Sequence, residues 1–339
     1  MIALWLIPVC CVTSWVLTFF LRKYALAKSL IDIPNERSSH CIPTPRGGGV
    51  AIVLTFLSGL MFLSGMGVMS LEVLGALLGA GTIVAVLGFA DDHGHIAARW
   101  RLVGHFTAAA WLLYWMSGFP SLQLLGITIQ SGMLTTAFAL CYLVWMLNLY
   151  NFMDGIDGLA SVEAISVCLG MCLIYWFAGT PSLIWGPLLL ACSTAGFLWW
   201  NFPPARIFMG DAGSGFLGII LGGLSILGAA ASPALFWSWI ILLAAFITDA
   251  TWTLLQRLLR GEKIYQAHRS HAYQHAAIKL ESHKHTTGYI LAINILWLFP
   301  LAIAVAKGLE PFLGMLLAYS PLCYLVFRLR AGRMLPDKC

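Results

Sequence analysis

Apolar stretches long enough to cross a bilayer recur from one end of this chain to the other, and that recurrence limits the folds open to it. A helical span needs about 20 predominantly apolar residues. Such runs occupy Leu4–Leu21, Gly48–Met66, Leu71–Ala90, Leu102–Gly118, Gly132–Tyr150, Leu159–Ala178, Ser182–Trp200, Gly213–Ala231, Pro233–Leu255, Tyr289–Ala306 and Pro311–Phe327. Hydrocarbon offers no water to backbone N–H and C=O groups, so only helices and closed barrels cross it, and runs this long are helical. Composition agrees: 60% of the 339 residues are hydrophobic and 10% charged, whereas about a quarter are charged in soluble domains. The expected fold class is all-α, a polytopic transmembrane bundle of about eleven spans forming a single domain over residues 1–339.

The cations set the expected orientation. With the N-terminus outside and the C-terminus inside, eleven crossings leave 18 of the 19 Lys and Arg on the inner side and only Lys307 outside. Such a bias is the positive-inside pattern, and a missed span would scramble it. The net charge of +5 then reads as contact with anionic lipid or an anionic substrate, with no nucleic-acid footprint. The first span has Arg22-Lys23 after it and no basic segment before it, so it is expected to stay attached rather than act as a cleaved signal. Nearly everything polar falls on five inner loops: Arg22–Gly47, Asp91–Arg101, Asn151–Gly158, Asn201–Ala212 and Gln256–Gly288. The outer connections are short except for Phe119–Ser131, an apolar segment expected at the interface. Gly75-x-x-x-Gly79 and Gly218-x-x-x-Gly222 read as sites of close helix packing.

Acids concentrate where spans meet these loops. Asp91, Asp92, Asp154, Asp157 and Asp211 stand at such boundaries, where a carboxylate with hydrocarbon on one side is costly unless paired or bound to a cation. Asp91-Asp92 reads either as a solvated pair or as a holder of Mg²⁺ against a phosphate. The segment Asn151 to Gly158 sets two acids among glycines, as turns or as ligands. In Asn201 to Gly215 the prolines stop one helix and glycines open the next, placing Asp211 at a helix N-terminus suited to a phosphate.

The last loop holds His268, Arg269, His271 and His275. Their spacing allows a zinc site, an anion site built around Arg269, or a solvated helix. Arg37, His40 and Arg46, followed by Gly47-Gly48-Gly49, form a second cationic loop, read as an anion site or a topological anchor. The nine cysteines show no CxxC pair and read as buried free thiols.

Taken in order, Pro43 to Gly48, Asp91-Asp92, Asn151 to Gly158, Asn201 to Ser214 and His268 to His271 resemble the polyprenyl-phosphate N-acetylhexosamine-1-phosphate transferase superfamily, glycosyltransferase family 4. Pro34 to His40 and the His-Arg-Ser-His at 268–271 look most like its WbpL-like, O-antigen-initiating branch. The resemblance implies a bacterial inner-membrane enzyme that moves a sugar phosphate from a UDP-N-acetylhexosamine to undecaprenyl phosphate, with Mg²⁺, or Mn²⁺ in its place. It implies Asp211 as the principal metal ligand with Asp92, and Asp91 and Asp92 as the catalytic pair. Arg46, Asn151, Asp154, Asp157, Asn201, Arg206, His268, Arg269 and His271 are the implied substrate-binding set. Members that transfer phospho-MurNAc-pentapeptide carry consecutive histidines where Arg269 and Ser270 intervene here, which disfavours a peptidoglycan substrate.

The expected partners are therefore the nucleotide sugar, the lipid phosphate and membrane lipids, with a homodimer left open. Because a phosphate monoester is already largely dianionic at neutral pH, positioning and charge neutralisation weigh more than proton abstraction by Asp91. A carrier for a nucleotide sugar or lipid-linked sugar is the alternative, on the strength of Glu163 and Asp249 within spans.

Overall fold

A computed structural model describes residues 2–34, 42–94, 96–262 and 268–333. Arg37, His40 and Cys41 of the first loop, and Lys263, lie outside the described residues. The helices are α1 (Ile2–Ala27), α2 (Val50–Gly65), α3 (Leu71–His93), α4 (Ala98–Trp115), α5 (Met133–Met153), α6 (Leu159–Phe177), α7 (Trp185–Asn201), α8 (Asp211–Ala231), α9 (Pro233–Leu242), α10 (Ala244–Leu259), α11 (Ala272–Leu280), α12 (His283–Ile293), α13 (Phe299–Ala306) and α14 (Pro311–Arg328). Two short antiparallel pairs complete the fold, β1 (Ile31–Asp32) with β2 (Thr44–Pro45), and β3 (Leu122–Leu124) with β4 (Ile127–Ile129).

Helices occupy every apolar run. Among the described residues eight are long and apolar enough to cross a membrane, and α9–α10 make a ninth if counted together. By that measure α2 is short at 16 residues, and α4 opens with Arg99 and Arg101 in its first turns. The segment from Pro233 onward is not a straight span: α9 and α10 meet at Leu243 with a bend of 67°. The reason lies in α10, where Asp249, Thr253 and Arg257 recur at helical spacing and form a buried polar stripe, while Leu255, Leu258 and Leu259 are exposed. The bend turns that stripe toward partners outside the path of α9. Between α12 and α13 the chain passes through a π-helical turn, Asn294–Leu298, which ends two residues before Pro300. The wider turn accommodates a residue that lacks an N–H and crowds the preceding carbonyls.

Helix α8 is the centre of the bundle, with 83% of its span buried, packed against α3 on one side and α5 on the other. Its small residues permit this: a Cβ on Gly218 would lie 2.5 Å from the Met146 carbonyl oxygen of α5. Gly75 and Gly79 of α3 likewise face Trp115 and Trp111 of α4, and Trp111 Nε1 donates to the Gly75 carbonyl at 2.8 Å. The apolar connection between α4 and α5 forms the β3–β4 hairpin, tied down where Leu125 N donates to Glu310 Oε1 at 2.9 Å. Glu310 also caps α14 by accepting from Leu313 N at 3.0 Å.

Candidate active site

The last turn of α3 meets the first turn of α8, and Gly88 makes that contact possible. A Cβ there would stand 2.4 Å from Ala212 N. Asp92 is 5% exposed, and its Oδ1 and Oδ2 accept from Asp211 N at 3.3 Å and Ala212 N at 3.4 Å. A carboxylate at a helix N-terminus satisfies otherwise unpaired N–H groups and suits the helix dipole. In this geometry Asp92 positions α8. Gly210 just before it has φ of +76°, and a Cβ there would press within 2.6 Å of Asp92 Oδ2.

Asp91 points the other way. Its Oδ1 accepts from Ile96 N at 2.8 Å and its Oδ2 from Arg101 Nη1 at 2.6 Å. The same Nη1 reaches Asp211 Oδ2 at 3.2 Å. Two carboxylates from different helices therefore share one point of positive charge. Nearby, the Asp154 carboxyl, just past the end of α5, is pushed well above the ordinary carboxylate range by burial and then by the charges of Asp211, Asp92 and Asp157.

Beside this group lies a cavity of about 320 Å³, lined by Arg101, Asp211, Asn151, His268 and His271 at its polar end and by Val84, Leu87 and Leu147 along its apolar wall. Val84 precedes Asp91 by seven residues in α3, so the apolar wall runs about 10 Å below the acids. The cavity thus joins a charged mouth to a hydrocarbon-like interior.

His271 is 2% exposed and opens α11. Its Nδ1 lies 3.3 Å from Asp249 Oδ1, and its ring stacks on those of His268 and Tyr273 at centroid distances of 4.9 and 5.6 Å. Burial, followed by the charges of His271 and Arg257, lowers the His268 pKa to about 3. Without a ligand His268 is therefore a neutral ring near neutral pH. Arg269 does not line the cavity, and its buried Nε has no hydrogen-bond partner among the described residues. Tyr273 Oη donates to the Phe152 carbonyl at 3.0 Å and so closes the loop over Asn151 to Gly158.

The remaining predicted residues hold loops together. Asn201, 3% exposed, accepts from Gly158 N at 3.1 Å and donates to the Ile207 carbonyl at 3.1 Å. Asp157 Oδ2 accepts from Ala205 N at 3.0 Å, and its Oδ1 lies 3.3 Å from His283 Nδ1. Arg46 Nη2 donates to the Asp92 carbonyl at 2.7 Å. Arg206 is exposed, with its guanidinium 5.8 Å from the Trp200 ring centroid. None of these four lines the cavity. The glycines after Arg46, read from sequence as part of a flexible anion site, are committed to packing: Gly48 N and Gly49 N donate to the carbonyls of Phe208 and Met209 at 2.9 and 2.8 Å. Arg101, Asp249 and Tyr273 were not among the candidates. Arg101 was legible only as a positive-inside charge, whereas Asp249 with Thr253 and Arg257 carried a readable polar periodicity within an apolar run.

Among the described residues no three carboxylate, histidine or cysteine side chains converge as a ready metal cage, and the zinc alternative fails there. His275 Nδ1 instead donates to the Leu329 carbonyl at 2.6 Å. Magnesium asks for less, since it is commonly held by one or two carboxylates together with substrate phosphates and water. Asp91 and Asp211, converging on the Arg101 guanidinium, fit that requirement.

A membrane-embedded helical bundle that gathers acids at the mouth of a partly apolar cavity is laid out as a transferase acting where a lipid headgroup meets water. Residues 74–229, spanning most of α3 to the end of α8, match the family model Glycosyl transferase family 4. A Bacillus subtilis protein named "probable undecaprenyl-phosphate N-acetylglucosaminyl 1-phosphate transferase" is 27% identical over 311 residues, 91% of this chain and 86% of that one. The decaprenyl-phosphate N-acetylglucosaminephosphotransferase of Mycolicibacterium smegmatis is 29% identical over 63% of this chain and 58% of its own length. A phospho-N-acetylmuramoyl-pentapeptide-transferase of Streptococcus thermophilus is 28% identical over 66% of this chain and 70% of its own. These relatives are transferases, and the carrier alternative finds no support among them. The residues that prompted it are also engaged: Glu163 Oε2 accepts from Asn294 Nδ2 at 2.7 Å, and Asp249 holds the start of α11.

Proposed function

We propose that this protein transfers N-acetylhexosamine 1-phosphate from a UDP-sugar to undecaprenyl phosphate, giving undecaprenyl-diphospho-sugar and UMP. The reaction takes place at the cytoplasmic face of a bacterial inner membrane, in a chain of eleven spans with its N-terminus outside. It initiates O-antigen, lipopolysaccharide or a related surface polysaccharide. The observation that carries this reading is the convergence of Asp91 and Asp211 on Arg101 at the mouth of a cavity with an apolar wall. The activities for which the relatives are named, transfer to undecaprenyl and decaprenyl phosphates, support the same lipid acceptor class.

In this reading an oxygen of the lipid phosphate attacks the β-phosphorus of the UDP-sugar, and the bond from that phosphorus to the bridging oxygen breaks to release UMP. Phosphoryl transfer depends chiefly on alignment and charge neutralisation. Asp211 with Asp91 would hold magnesium, or manganese in its place, to neutralise the diphosphate. Arg101 adds a fixed positive charge from the side of α4, Asp92 sets the first turn of α8, and Asn151, His268 and His271 line the donor end. The apolar wall takes the first isoprene units of the acceptor.

The test is transfer from radiolabelled UDP-N-acetylglucosamine, UDP-N-acetylfucosamine and UDP-N-acetylquinovosamine to undecaprenyl phosphate in membranes, with UMP release measured in parallel. UMP release that requires both substrates is the expected result, and no lipid-linked product from any of the three sugars would overturn the proposal.

A further inference from the structure

The loop that presents His268 and His271 to the cavity is held from behind by the turn that follows α14. After α14 the backbone turns at Leu329–Gly332, and Gly332 N donates to the Ser270 carbonyl at 2.6 Å. His275 Nδ1 donates to the Leu329 carbonyl at 2.6 Å, and the Arg260 guanidinium donates to the Gly332 carbonyl. Ala272, Val326 and Ala331 are buried together, with Trp252 and Leu329 packed around them, as a small apolar cluster separate from the main core. Gly332 has φ of +87°, and a Cβ there would lie 2.6 Å from Gln256 Cβ and 3.2 Å from the Thr253 carbonyl oxygen. The fit admits no larger residue without displacing α10.

We infer that the turn Leu329–Gly332 is a positioning element for the transfer site, acting through Ser270 and His275 to place His268 and His271 against the cavity. The inference rests on the activity proposed above. A helix of nine residues such as α11 is unstable alone in water and takes its order from tertiary contacts. Two anchors supply them: Asp249 grips its N-terminus from α10, and the C-terminal turn grips its far side. His275 is 4% exposed and does not line the cavity, so it reaches the reacting groups only through this anchoring. Displacement of a positioning group by about 1 Å can cost about a hundredfold in rate. The turn after α14 is thereby coupled to catalysis through α11.

The experiment compares His275→Ala with His275→Asn, whose amide nitrogen can replace Nδ1 as donor to Leu329. Two readouts are taken: steady-state kinetics of sugar-phosphate transfer, and hydrogen exchange of the peptide 268–280 in detergent. His275→Ala is expected to lower kcat about tenfold or more, change KM for the nucleotide sugar less than about threefold, and raise exchange in that peptide. His275→Asn is expected to restore kcat to within about threefold, with exchange returned to the parent level. Parent-like kcat and exchange in His275→Ala would overturn the inference. So would equal loss of kcat in both variants with exchange normal in His275→Asn, because the imidazole would then act by another route. If the parent chain transfers no sugar at all, the activity reading falls, and the exchange arm alone decides whether the turn holds the loop. Should His275→Ala fail to accumulate, Arg260→Met, which removes the donor to the Gly332 carbonyl, serves with the same readouts.

Discussion

Asp249 Oδ1 stands 3.3 Å from His271 Nδ1, and the two oxygens of Asp249 also accept from Ala272 N and Tyr273 N at 2.8 and 2.9 Å. One carboxylate from a bent membrane helix therefore fixes both the direction of a cavity-lining ring and the first turn of the helix that carries it. Asp249→Asn replaces one acceptor oxygen with a donor that cannot face those N–H groups. Partners that orient functional histidines in this way are worth about 10–100-fold when lost. The expected result is a fall in kcat of about that size with a smaller change in KM. A variant with unchanged kcat would show that His271 needs no such support.

Arg101 competes with any cation for the oxygens of Asp91 and Asp211. Arg101→Gln should therefore lower the magnesium concentration needed for half-maximal activity while reducing the maximum by about tenfold or more, as a fixed charge on the transferring phosphate is lost. Arg101→Lys keeps the charge but not the planar fork, and intermediate activity is expected. Magnesium titrations of the three proteins check both parts.

Asp211 and Asp91 share a cation but differ in their other contacts, and the difference separates their expected losses. Asp211 Oδ2 faces Arg101 at the cavity mouth, so Asp211→Ala would remove the proposed metal ligand and should cost about a thousandfold in kcat, the scale of losing a major electrostatic group. Asp91→Asn keeps an oxygen for Ile96 N, and no proton need be taken from a lipid phosphate that is already dianionic. Its expected loss is smaller than that of Asp211→Ala and is relieved by raised magnesium, because what weakens is the metal site. A collapse of Asp91→Asn to background that magnesium does not relieve would restore a general-base role.

The acids were legible because a carboxylate at the end of an apolar run is costly unless a cation or a hydrogen-bond donor meets it, and Asp91 and Asp211 converge on Arg101 as that logic requires. The division of labour between Asp91 and Asp92 was not legible. Adjacent residues near a helix end point about 100° apart, and only the approach of α8 decides that Asp92 meets backbone amides while Asp91 meets Arg101. Asn201, at the end of α7, and Asp157 were expected to bind substrate, whereas their side chains tie loop to loop. A polar residue between two glycine-rich segments looks the same in sequence whether it binds ligand or backbone. The bend at Leu243 left no proline or glycine to announce it. Only the stripe of Asp249, Thr253 and Arg257 hinted that α10 could not face lipid on every side.

The raised pKa of Asp154 gives the site a testable pH dependence. An acid whose folded-state pKa lies above its unfolded value, about 3.9 for Asp, binds protons more tightly when folded. Its contribution to stability is present below the unfolded value and is lost as pH rises through the folded one. Burial is the main cause here, followed by the negative charges of Asp211, Asp92 and Asp157. The metal-free protein in detergent should therefore melt at a lower temperature as pH is raised from the acid side of the carboxylate range toward neutrality and beyond. Asp154→Asn, which cannot ionise, should flatten that decline and melt a few degrees higher at alkaline pH, the scale on which about 1 kcal/mol appears in a chain of this size. Magnesium should narrow the gap in the parent, because a dication beside Asp211 offsets the repulsion that Asp154 feels. Equal pH slopes for the two proteins without metal would show that Asp154 is not strained by its acidic neighbours, and a magnesium-independent slope would place the ion elsewhere.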